Sequence, residues 1–589
     1  MKKFTDNKTV AEFLDKSGGT RWAGGGGFPL MYDSDGVHVY KGEGHSSIIG
    51  VSGTGKSQTG SMPLVENLLD NGESVCAIDP KGEIARRILS MKDQKYQNVR
   101  FVVFDMCHPV ESLRYNPMAL AANYFAKGDR VSVAKAEEIC DSLAYSFMPS
   151  EKTSKTDPYW NDATRTVLLG IISMLCNLGG DVATLRNMCG LCSDGRNVMA
   201  NQRLLSGMAE KAKAFYPRIQ QLMDTYTGLD ANRTSSCIQS QLLNCINDIM
   251  RTNGILEFTD ENQFDVTSID PNEQICIFII VPMNIPSYYG IAGIMLSQIS
   301  DCVYDLAQRQ ENQFLPVRFN FVIEELGNIG RSVPNLPFLM SASRSSNIRM
   351  HLFYQSMSQL EAIFGSDKAN IIRDNVSLNV IYRVNNLATA KYFSEYCGTY
   401  VIPATGERAW IIEAANILSL DMGQALVIVD GKIKFVSRLS AYGAPHGDKM
   451  PEEYISHNGP SNAEYSSRKI NMAINEKIYQ WLDTLPCADI AEEIIPLGHE
   501  VTLQAHPHLP TIAVPRIRSG IDKIVEAAGG RCIAPLAWIV DEAYISYISE
   551  VYDKIDIDFQ VSEVDDGDGD DGGDPCDDIM IDFPFDDDE

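Results

Sequence analysis

The feature that most constrains this chain of 589 residues is a glycine-rich turn near its beginning. The segment Gly50–Ser57 reads GVSGTGKS and follows the short apolar run SSII, so a strand is expected to end where the glycines begin. Glycine lets the backbone wrap closely around a phosphate, and successive N–H groups then converge on its oxygens. Lys56 is expected to reach the β- and γ-phosphates of ATP, and the Ser57 hydroxyl to bind Mg²⁺, as in a P-loop that opens a helix. The residues predicted to contact the nucleotide are Gly50, Gly53, Thr54, Gly55, Lys56, Ser57 and Gln58.

A P-loop enzyme also needs an acidic residue at the end of a neighbouring strand, which holds Mg²⁺ and orients water. Two segments qualify, RFNFVIEE at Arg318–Glu325 and AWIVDE at Ala537–Glu542. We favour the first, because glycines, an arginine-bearing serine stretch and the polar-ended strand pattern RMHLFYQ follow it. Glu324 is then the predicted Mg²⁺ ligand, acting through water, and Glu325 polarises the attacking water. The pair Asp541–Glu542 is interpreted as part of a solvent-facing helix.

Several further apolar runs predict the rest of the fold. Their near-continuous Val, Ile and Phe content is typical of strands that are buried on both faces of a parallel sheet. These strands are predicted at Ser74–Asp79, Val99–Asp105, Gln274–Pro282, Leu378–Val384 and Gln424–Val429. Helical patterns between them, such as Gly290–Gln310, favour right-handed βαβ units, and Asp430-Gly431 predicts a hairpin turn after the last strand. The predicted fold class is therefore α/β, with a mostly parallel sheet around the P-loop.

The spacing of these patterns divides the chain into five predicted parts. Long helical patterns with little strand signal interrupt the P-loop domain, which predicts an inserted all-α domain. Beyond the sheet, helical patterns at Lys469–Leu485 and Ile521–Ala528 are interpreted as a small accessory domain. The predicted parts are an N-terminal extension (1–40), the discontinuous P-loop domain (41–118 and 266–445), the all-α insertion (119–265), the accessory domain (446–562) and a disordered acidic tail (563–589).

The acidic balance of the chain comes in large part from its end. The formal net charge is −28, yet residues 563–589 hold 12 Asp and 2 Glu without a basic residue, which amounts to −14. The other residues carry the remaining −14, so a locally basic lining for nucleic acid stays open. The tail itself cannot form a core, and it is interpreted either as a solvating segment or as a docking segment for a basic protein partner.

Cysteine usage and hydropathy limit where such a chain is expected to work. The 14 cysteines are scattered, which excludes the dense disulfide framework of a small secreted protein. The first residues lack the apolar core of a signal peptide, and no apolar run reaches the roughly 18 residues that cross a bilayer. The pairs Cys189/Cys192 and His506/His508 lack the further ligands that zinc needs, so neither is assigned a metal. These features predict a reduced, soluble, cytoplasmic protein.

Taken together, these segments resemble the coupling ATPases of conjugation and type IV secretion, the TraG/TraD-type proteins, within the FtsK- and HerA-like class of DNA pumps. The resemblance spans residues 40 to 445 and rests on motifs in the order of that family. Besides the P-loop they are IDPKGE at Ile78–Glu83, FDMCHP and RYNPM within Phe104–Met118, DPYWNDAT at Asp157–Thr164, FVIEELGNIG at Phe321–Gly330 and SRSSNIRMHLFYQSMSQLEAIFG at Ser343–Gly365. The resemblance implies a RecA-like domain in a homo-hexameric ring that hydrolyses ATP and drives DNA, with its attached relaxase, toward a secretion channel.

The resemblance also implies roles for individual residues, carried over by position. Glu325 is the catalytic carboxylate, Gln355 senses the γ-phosphate, and Arg344 is an arginine finger that acts on the neighbouring subunit. Arg349 and Arg373 are weaker candidates for the finger. Three further residues belong to a family motif beside the nucleotide and are assigned no chemistry, namely Asp79, Lys81 and Glu83.

Two departures from the family keep alternatives open. The acidic strand ends in Glu324-Glu325 where the family usually has Asp-Glu, and residues 1–40 contain no membrane-spanning pattern. The chain is expected either to dock on a separate membrane subunit, at the inner face of the cell membrane, or to act without a membrane, and a monomer in isolation would be compatible with both. A soluble DNA pump outside conjugation and a nucleotide-gated docking platform for protein substrates remain alternative functions. In the conjugative setting, the basic partner of the tail would be a relaxase or an accessory factor.

Overall fold

The structure is a computed structural model that describes most of the chain in two compact units. The units comprise residues 1–192 with 237–464, and residues 193–236 with 465–589. The described residues are 9–10, 14–16, 26–33, 36–148, 158–179, 182–193, 218–227, 232–250, 252–333, 335–402 and 405–439, with six short strands between 495 and 562. Outside them lie the helices predicted at 469–485 and 521–528, Asp541–Glu542, His506/His508 and the acidic tail.

In the described residues of the first unit, fourteen strands form three sheets. In chain order they are β1 (Asp15–Lys16), β2 (Phe28–Asp33), β3 (Gly36–Tyr40), β4 (His45–Ile49), β5 (Ser74–Asp79), β6 (Arg100–Asp105), β7 (Ile275–Ile280), β8 (Phe319–Ile323), β9 (Ile348–Tyr354), β10 (Val376–Ile381), β11 (Thr399–Val401), β12 (Arg408–Trp410), β13 (Gln424–Val429) and β14 (Ile433–Arg438). The central sheet has nine strands in the order β14-β13-β10-β4-β9-β8-β5-β7-β6. The two smaller sheets have the orders β1-β3-β2 and β11-β12.

The nine-stranded sheet is mainly parallel. Seven strands, from β10 to β6 across the sheet, pair in the same direction, and β13 and β14 are added antiparallel. Strands β4, β5, β7, β8 and β9 are buried along their whole length, as in a parallel sheet that is covered on both faces. The predicted α/β class with a mostly parallel sheet is therefore confirmed. The strand expected at Leu378–Val384 lies slightly earlier, at Val376–Ile381.

The hairpin predicted from Asp430-Gly431 joins β13 and β14. Asp430 and Gly431 have φ angles of 48° and 66°, the left-handed values that both central residues of a type I′ turn require. The Lys432 N–H closes the turn by donating to Val429 O at 3.0 Å.

Helices connect strands of the sheet, and further helices occur in the described part of the long interval between β6 and β7. In chain order the helices are α1 (Met62–Asp70), α2 (Glu83–Leu89), α3 (Lys92–Lys95), α4 (Ala119–Lys127), α5 (Arg130–Phe147), α6 (Pro158–Leu178), α7 (Leu185–Ser193), α8 (Arg218–Thr227), α9 (Asn232–Met250), α10 (Asn253–Thr259), α11 (Ser287–Gln308), α12 (Leu326–Ile329), α13 (Leu336–Ser343), α14 (Met357–Asp374), α15 (Leu387–Cys397) and α16 (Ala414–Leu418). Between 119 and 259 the described residues are helical or loop, and the all-α insertion at 119–265 stays a prediction. None of the described helices is both long and apolar enough to cross a membrane.

In the second unit, six short strands form two small antiparallel sheets. They are β15 (Ile495–Pro496), β16 (Thr511–Ala513), β17 (Arg516–Ile517), β18 (Arg531–Ala534), β19 (Ala537–Ile539) and β20 (Gln560–Ser562), paired as β15-β17 and β18-β19-β16-β20. The alternative acidic segment AWIVDE therefore begins in β19, whereas RFNFVIEE supplies β8 of the nine-stranded sheet.

Candidate nucleotide-binding site

The carboxyl ends of four neighbouring parallel strands meet at one edge of the nine-stranded sheet. Gly50 follows β4, Gln355 follows β9, Glu324 follows β8 and Asp79 ends β5. Ligands of open α/β sheets bind at such an edge, because the loops that leave the strands converge there. Three segments that are far apart in sequence are therefore brought together beside the P-loop.

Three positions of the P-loop are restricted to glycine, two by backbone conformation and one by packing. Gly53 and Gly55 have φ angles of 79° and 93°, in the region where a side chain would be strained. At Gly50 the restriction is packing, because a Cβ there would lie 2.7 Å from Tyr382 Cβ. Thr54 is buried, and its hydroxyl donates to a loop carbonyl at 2.8 Å. These contacts fix the shape of the loop.

Lys56 lies in a small pocket at the end of the P-loop. Its ammonium group donates to the carbonyls of Gly50 and Val51, the second at 3.1 Å. Burial lowers the pKa of Lys56, and the nearby carboxylates of Glu325 and Glu324 oppose that shift. The other residues that line the pocket are Ser57, Pro80, Lys81, Met283, Glu324, Glu325 and Phe353. Two lysines and two carboxylates thus share the space beside the phosphate-binding loop.

The first turn after the P-loop, Ser57–Ser61, is π-helical and contacts the acidic strand. The Ser61 hydroxyl donates to Glu324 Oε1, and a hydrogen bond with the Ser57 side chain also stabilises the Glu324 carboxylate. Glu324 is 8% exposed, and its pKa is raised to about 7. Burial is the main cause, and the negative charge of Asp79 is the second. The two predicted Mg²⁺ ligands, Ser57 and Glu324, are therefore adjacent. Nothing in the local sequence indicates Ser61, because it meets Glu324 only after two distant segments pack.

Glu325 turns the chain between β8 and α12 with a backbone conformation that is unusual for a side-chain-bearing residue. Its φ of 53° and ψ of 49° lie in the left-handed region. Its carboxylate accepts a hydrogen bond from Gln355 Nε2 at 3.3 Å, and the Gln355 N–H donates to Gln359 Oε1 at 2.9 Å. Strained backbone of this kind clusters at functional sites, where the surrounding structure holds it. Glu325 and Gln355 thus touch one another beside the P-loop.

Asp79 holds the backbone of the loop that follows β5. Its two carboxylate oxygens accept from the N–H groups of Glu83, at 3.2 Å, and Ala85, at 2.9 Å, at the start of α2. Burial raises the pKa of Asp79 to about 6. Because both oxygens bond the backbone, Asp79 acts on the site through its charge, which raises the pKa of Glu324. Lys81 reaches the pocket of Lys56 itself.

Arg344 lies at the opposite edge of the sheet from its own P-loop. It is exposed in the short turn that precedes β9, whereas Gln355 follows β9. Since β9 spans about 20 Å at about 3.3 Å per residue, the Arg344 side chain does not reach the P-loop of its own chain. If Arg344 is an arginine finger, as the sequence predicts, it would have to act on another copy of the chain.

The two weaker finger candidates are engaged within the chain. Arg349 is 2% exposed and donates to the carbonyls of Gly26 and Lys41. Arg373 donates to Glu361 Oε1 at 2.9 Å. Arg349 is thereby excluded as a finger, because a residue that acts on a neighbouring subunit must be accessible.

Two backbone segments hold the P-loop on the side away from the carboxylates. No sequence motif indicates either of them. The Arg383 carbonyl, just after β10, accepts from the Val51 N–H at 3.1 Å. The Gly423 N–H, just before β13, donates to Thr54 O at 3.2 Å. The P-loop therefore lies between the acidic strand end on one side and these two segments on the other.

The residues of this edge fit a nucleoside triphosphate with Mg²⁺. A loop with left-handed glycines can present successive backbone N–H groups to an anion, and Lys56 adds a positive charge. The Ser57 hydroxyl and the Glu324 carboxylate are oxygen donors of the kind that Mg²⁺ prefers. Elsewhere in the described part of the chain, no cluster of three or more His, Cys, Asp or Glu residues is arranged to hold a metal. Cys189 and Cys192 are buried on α7.

The model of one protein family, described as Type IV secretory system Conjugative DNA transfer, matches residues 2–407. The chain belongs to this family. The match confirms the resemblance to TraG/TraD-type coupling proteins and assigns the chain to conjugative DNA transfer by a type IV secretion system. No curated protein sequence matches the chain.

Solved structures of a bacterial conjugative coupling protein have the same fold as this family member. The unbound monoclinic form of TrwBdeltaN70 is 14% identical, with a TM-score of 0.55 over 76% of this chain and 94% of that chain. Plasmid coupling protein TrwB in complex with the ATP analogue ADPNP is 14% identical, with a TM-score of 0.57 over 77% and 96%. TrwB in complex with ADP and Mg²⁺ is 14% identical, with a TM-score of 0.55 over 76% and 95%. These matches support the RecA-like fold class.

Proposed function

We propose that this member of the conjugative DNA-transfer family is a coupling ATPase, which hydrolyses ATP with Mg²⁺ and moves DNA, with its attached relaxase, to a type IV secretion apparatus. The observation that carries the proposal is the 3.3 Å contact between Gln355 and Glu325 beside the pocket of Lys56 and Ser57. A phosphate-binding loop with a carboxylate and a polar sensor beside it is what an ATPase needs to link hydrolysis to movement. The complexes of TrwB with ADPNP and with ADP and Mg²⁺ support the same ligands here.

Nucleotide binding is assigned to the P-loop residues Gly50, Gly53, Thr54, Gly55, Lys56, Ser57 and Gln58. The backbone N–H groups bind the phosphates, and Lys56 exchanges its contacts with the Gly50 and Val51 carbonyls for phosphate oxygens. Phosphate charge favours the protonated lysine and opposes the effect of burial on its pKa. Loss of Lys56 should therefore remove tight binding.

Ser57 and Glu324 would hold the Mg²⁺. The bound ion supplies positive charge that neutralises the phosphates as charge develops during transfer. Because burial raises the pKa of Glu324 to about 7, metal binding must displace a proton from this carboxylate near neutral pH. Ser61 fixes the orientation of Glu324 through its hydrogen bond, so the extra methylene relative to aspartate is accommodated by the neighbouring π-helical turn.

Glu325 is assigned the catalytic carboxylate, which orients the attacking water and accepts its proton. Gln355 holds the Glu325 carboxylate, and it is placed to sense whether a γ-phosphate is present. A change in that contact would pass along β9, which joins Gln355 to the segment of Arg344 at the opposite edge.

Arg344 is assigned the finger that acts on the nucleotide of a neighbouring subunit. The exposure of Arg344 and its distance from its own P-loop support a site shared between two copies, as in a homo-hexamer. Such an arginine stabilises the charge of the transition state. A monomer would then be nearly inactive, and assembly, on DNA or on a membrane subunit at the inner face of the cell membrane, would complete the site.

The test is ATP hydrolysis by the full chain with and without single-stranded or double-stranded DNA, for the wild type, Lys56→Ala and Glu325→Gln. We expect DNA-stimulated hydrolysis in the wild type and a fall of about 10²-fold or more in both variants. Glu325→Gln should keep ATP affinity, whereas Lys56→Ala should lose it. The exposed Glu111 provides a matched control, since Glu111→Gln should hydrolyse ATP like the wild type.

Two outcomes would redirect the proposal. Hydrolysis that survives Lys56→Ala would contradict the P-loop assignment. Wild-type hydrolysis that is indifferent to DNA would favour a nucleotide-gated docking platform for protein substrates. Deletion of residues 563–589 tests the partner of the acidic tail separately, because capture of a purified relaxase should weaken if its 12 Asp and 2 Glu bind that partner.

A further inference from the structure

One exposed methionine lies beside the P-loop on the side of β10 and β13, away from the predicted catalytic groups. Met422 is 70% exposed, among the most exposed large apolar side chains in the described part of the chain. It precedes Gly423, whose N–H donates to Thr54 O of the P-loop at 3.2 Å. The position of Met422 beside the loop is thus set by a direct backbone contact.

A tight turn holds Met422 at this place. The Gln424 N–H donates to Asp421 O at 3.0 Å, and Gly423 at the third position has a φ of 76°, as a type II turn requires. The Gly423 carbonyl accepts from the Leu439 N–H at 2.8 Å, so the turn is anchored on both sides. Met422 occupies the second position, a corner whose side chain is not needed for the turn itself.

The direction of a bound triphosphate follows from the two neighbours of β4. On the β9 and β8 side, Gln355 and Glu325 meet beside Lys56, so the γ-phosphate must face that side for water to attack it. The other end of the phosphate chain then points toward β10 and β13, where Arg383 and Gly423 hold the loop. The nucleoside leaves the P-loop on the side of Met422.

We infer that Met422 forms an apolar platform for the base of the bound nucleotide. The inference rests on the proposed ATPase function and adds to it the subsite for the nucleoside. The unbranched, polarisable thioether of methionine packs favourably on the face of an aromatic ring, and a base has such a face. An apolar side chain that is open to water beside a phosphate-binding loop would be buried when the base rests on it.

The test compares two ligands that differ only in the nucleoside. Dissociation constants of the full chain for ATP and for inorganic tripolyphosphate are measured by calorimetry with Mg²⁺, for the wild type and Met422→Ala. We expect Met422→Ala to weaken ATP about fivefold to tenfold and to change tripolyphosphate less than about twofold. Met422→Leu, which keeps an apolar surface, should retain most of the ATP affinity.

Met283 is the matched control, since it is 50% exposed and lines the pocket of Lys56 at the opposite end of the loop. Met283→Ala should leave the ratio of the two affinities unchanged. An unchanged ATP affinity in Met422→Ala, or an equal loss for both ligands, would overturn the inference while the P-loop assignment stands. A wild type that binds neither ligand, or binds both as weakly as Lys56→Ala does, would instead overturn the proposed function.

Discussion

The parallel strands of the nine-stranded sheet all end on one side, here called the carboxyl edge, and all begin on the other, the amino edge. The two edges contain similar charged side chains in different surroundings. At the carboxyl edge, Lys56, Glu324 and Glu325 line one pocket. At the amino edge, Glu73 and Arg349 are almost completely buried, and their partners come from the chain itself. A ligand can therefore reach the three charged groups of the pocket, but not Glu73 and Arg349.

The amino edge contains a continuous series of buried hydrogen bonds. The His351 Nδ1 atom is 2.6 Å from the Ser46 hydroxyl, and its Nε2 atom is 3.3 Å from Asn320 Oδ1. The Asn320 amide donates to Glu73 Oε2 at 2.9 Å, and Glu73 Oε1 accepts from the Gly26 N–H at 2.9 Å. Burial lowers the pKa of His351 well below its ordinary value, so this ring stays neutral.

His45 at the start of β4 is also a buried histidine with a lowered pKa and partners within the chain. Its Nδ1 atom accepts from the Met350 N–H at 3.0 Å, and its Nε2 atom donates to Met340 O at 2.7 Å. Burial lowers the pKa of His45 to about 4. Buried ionisable groups therefore do not by themselves indicate a functional site; what distinguishes the carboxyl edge is that its groups face a pocket next to a strained residue.

The largest expected effect separates two arginines that are five positions apart. Arg344→Ala should reduce ATP hydrolysis by the assembled protein about 10³-fold without lowering its melting temperature, because the side chain is exposed and is proposed to act on a neighbouring copy. Arg349→Ala should lower the melting temperature, because it removes a buried donor from the Gly26 carbonyl and a second hydrogen bond from the Lys41 carbonyl. Hydrolysis rates in the presence of DNA and thermal melts check both. An Arg344→Ala protein with full activity in the assembled state would refute the assignment of the finger.

A second prediction concerns the amino edge alone. Glu73→Ala should reduce the free energy of unfolding by about 3 kcal/mol, because Arg318, Asn320 and the Gly26 N–H lose a buried partner. The measurement is urea unfolding. As a control, Glu361→Ala removes the partly exposed partner of Arg373 and should cost less than about 1 kcal/mol. Equal effects of the two substitutions would remove the distinction between the edges.

A third prediction uses the pH dependence of the carboxyl edge. The pKa of Glu324 is raised from 4.5 to about 7, so its contribution to stability is fully present below pH 4.5 and is lost as the pH rises through 7. For the chain without nucleotide the loss is at most about 3 kcal/mol. Glu324→Gln should weaken the fall of the melting temperature between pH 5 and 8. The remaining fall would be due to Asp79, whose pKa is raised from 3.8 to about 6. Parallel curves for the variant and the wild type would contradict the assignment.

The smallest expected effect concerns Ser61, which orients Glu324. Ser61→Ala should raise the Mg²⁺ concentration for half-maximal hydrolysis about tenfold, since residues that hold a metal ligand tune its affinity. Ser90, whose hydroxyl donates to the Arg87 carbonyl on the surface, provides a matched serine control. A Mg²⁺ dependence like that of the wild type would show that Glu324 needs no such support.

Much of the fold could be predicted because its signals are local. Strands β5 and β13 lie where their apolar runs predict them, and the Asp430-Gly431 turn has the backbone that its two residues favour. The P-loop was equally readable, because its glycines are required by the conformation of the loop itself. The division of the chain into domains, including the all-α insertion, stays a prediction.

The site could be predicted only in part from the sequence, because several of its contacts depend on packing between distant segments. Local sequence indicates Glu324, Glu325, Gln355 and Lys56 as polar residues after apolar strands. It does not show that Arg349 is buried while Arg344 is exposed, since both follow similar serine-rich sequence.

The sequence alone determined which strands form, where the phosphate-binding loop lies and which family the chain resembles, since each follows from residue types within a short segment. Tertiary structure decided which groups meet: Ser61 with Glu324, Gln355 with Glu325, and Gly423 with Thr54. The physical reason is that these contacts depend on the order and register of parallel strands, which bring together residues from 30 to several hundred positions apart and leave others buried or exposed.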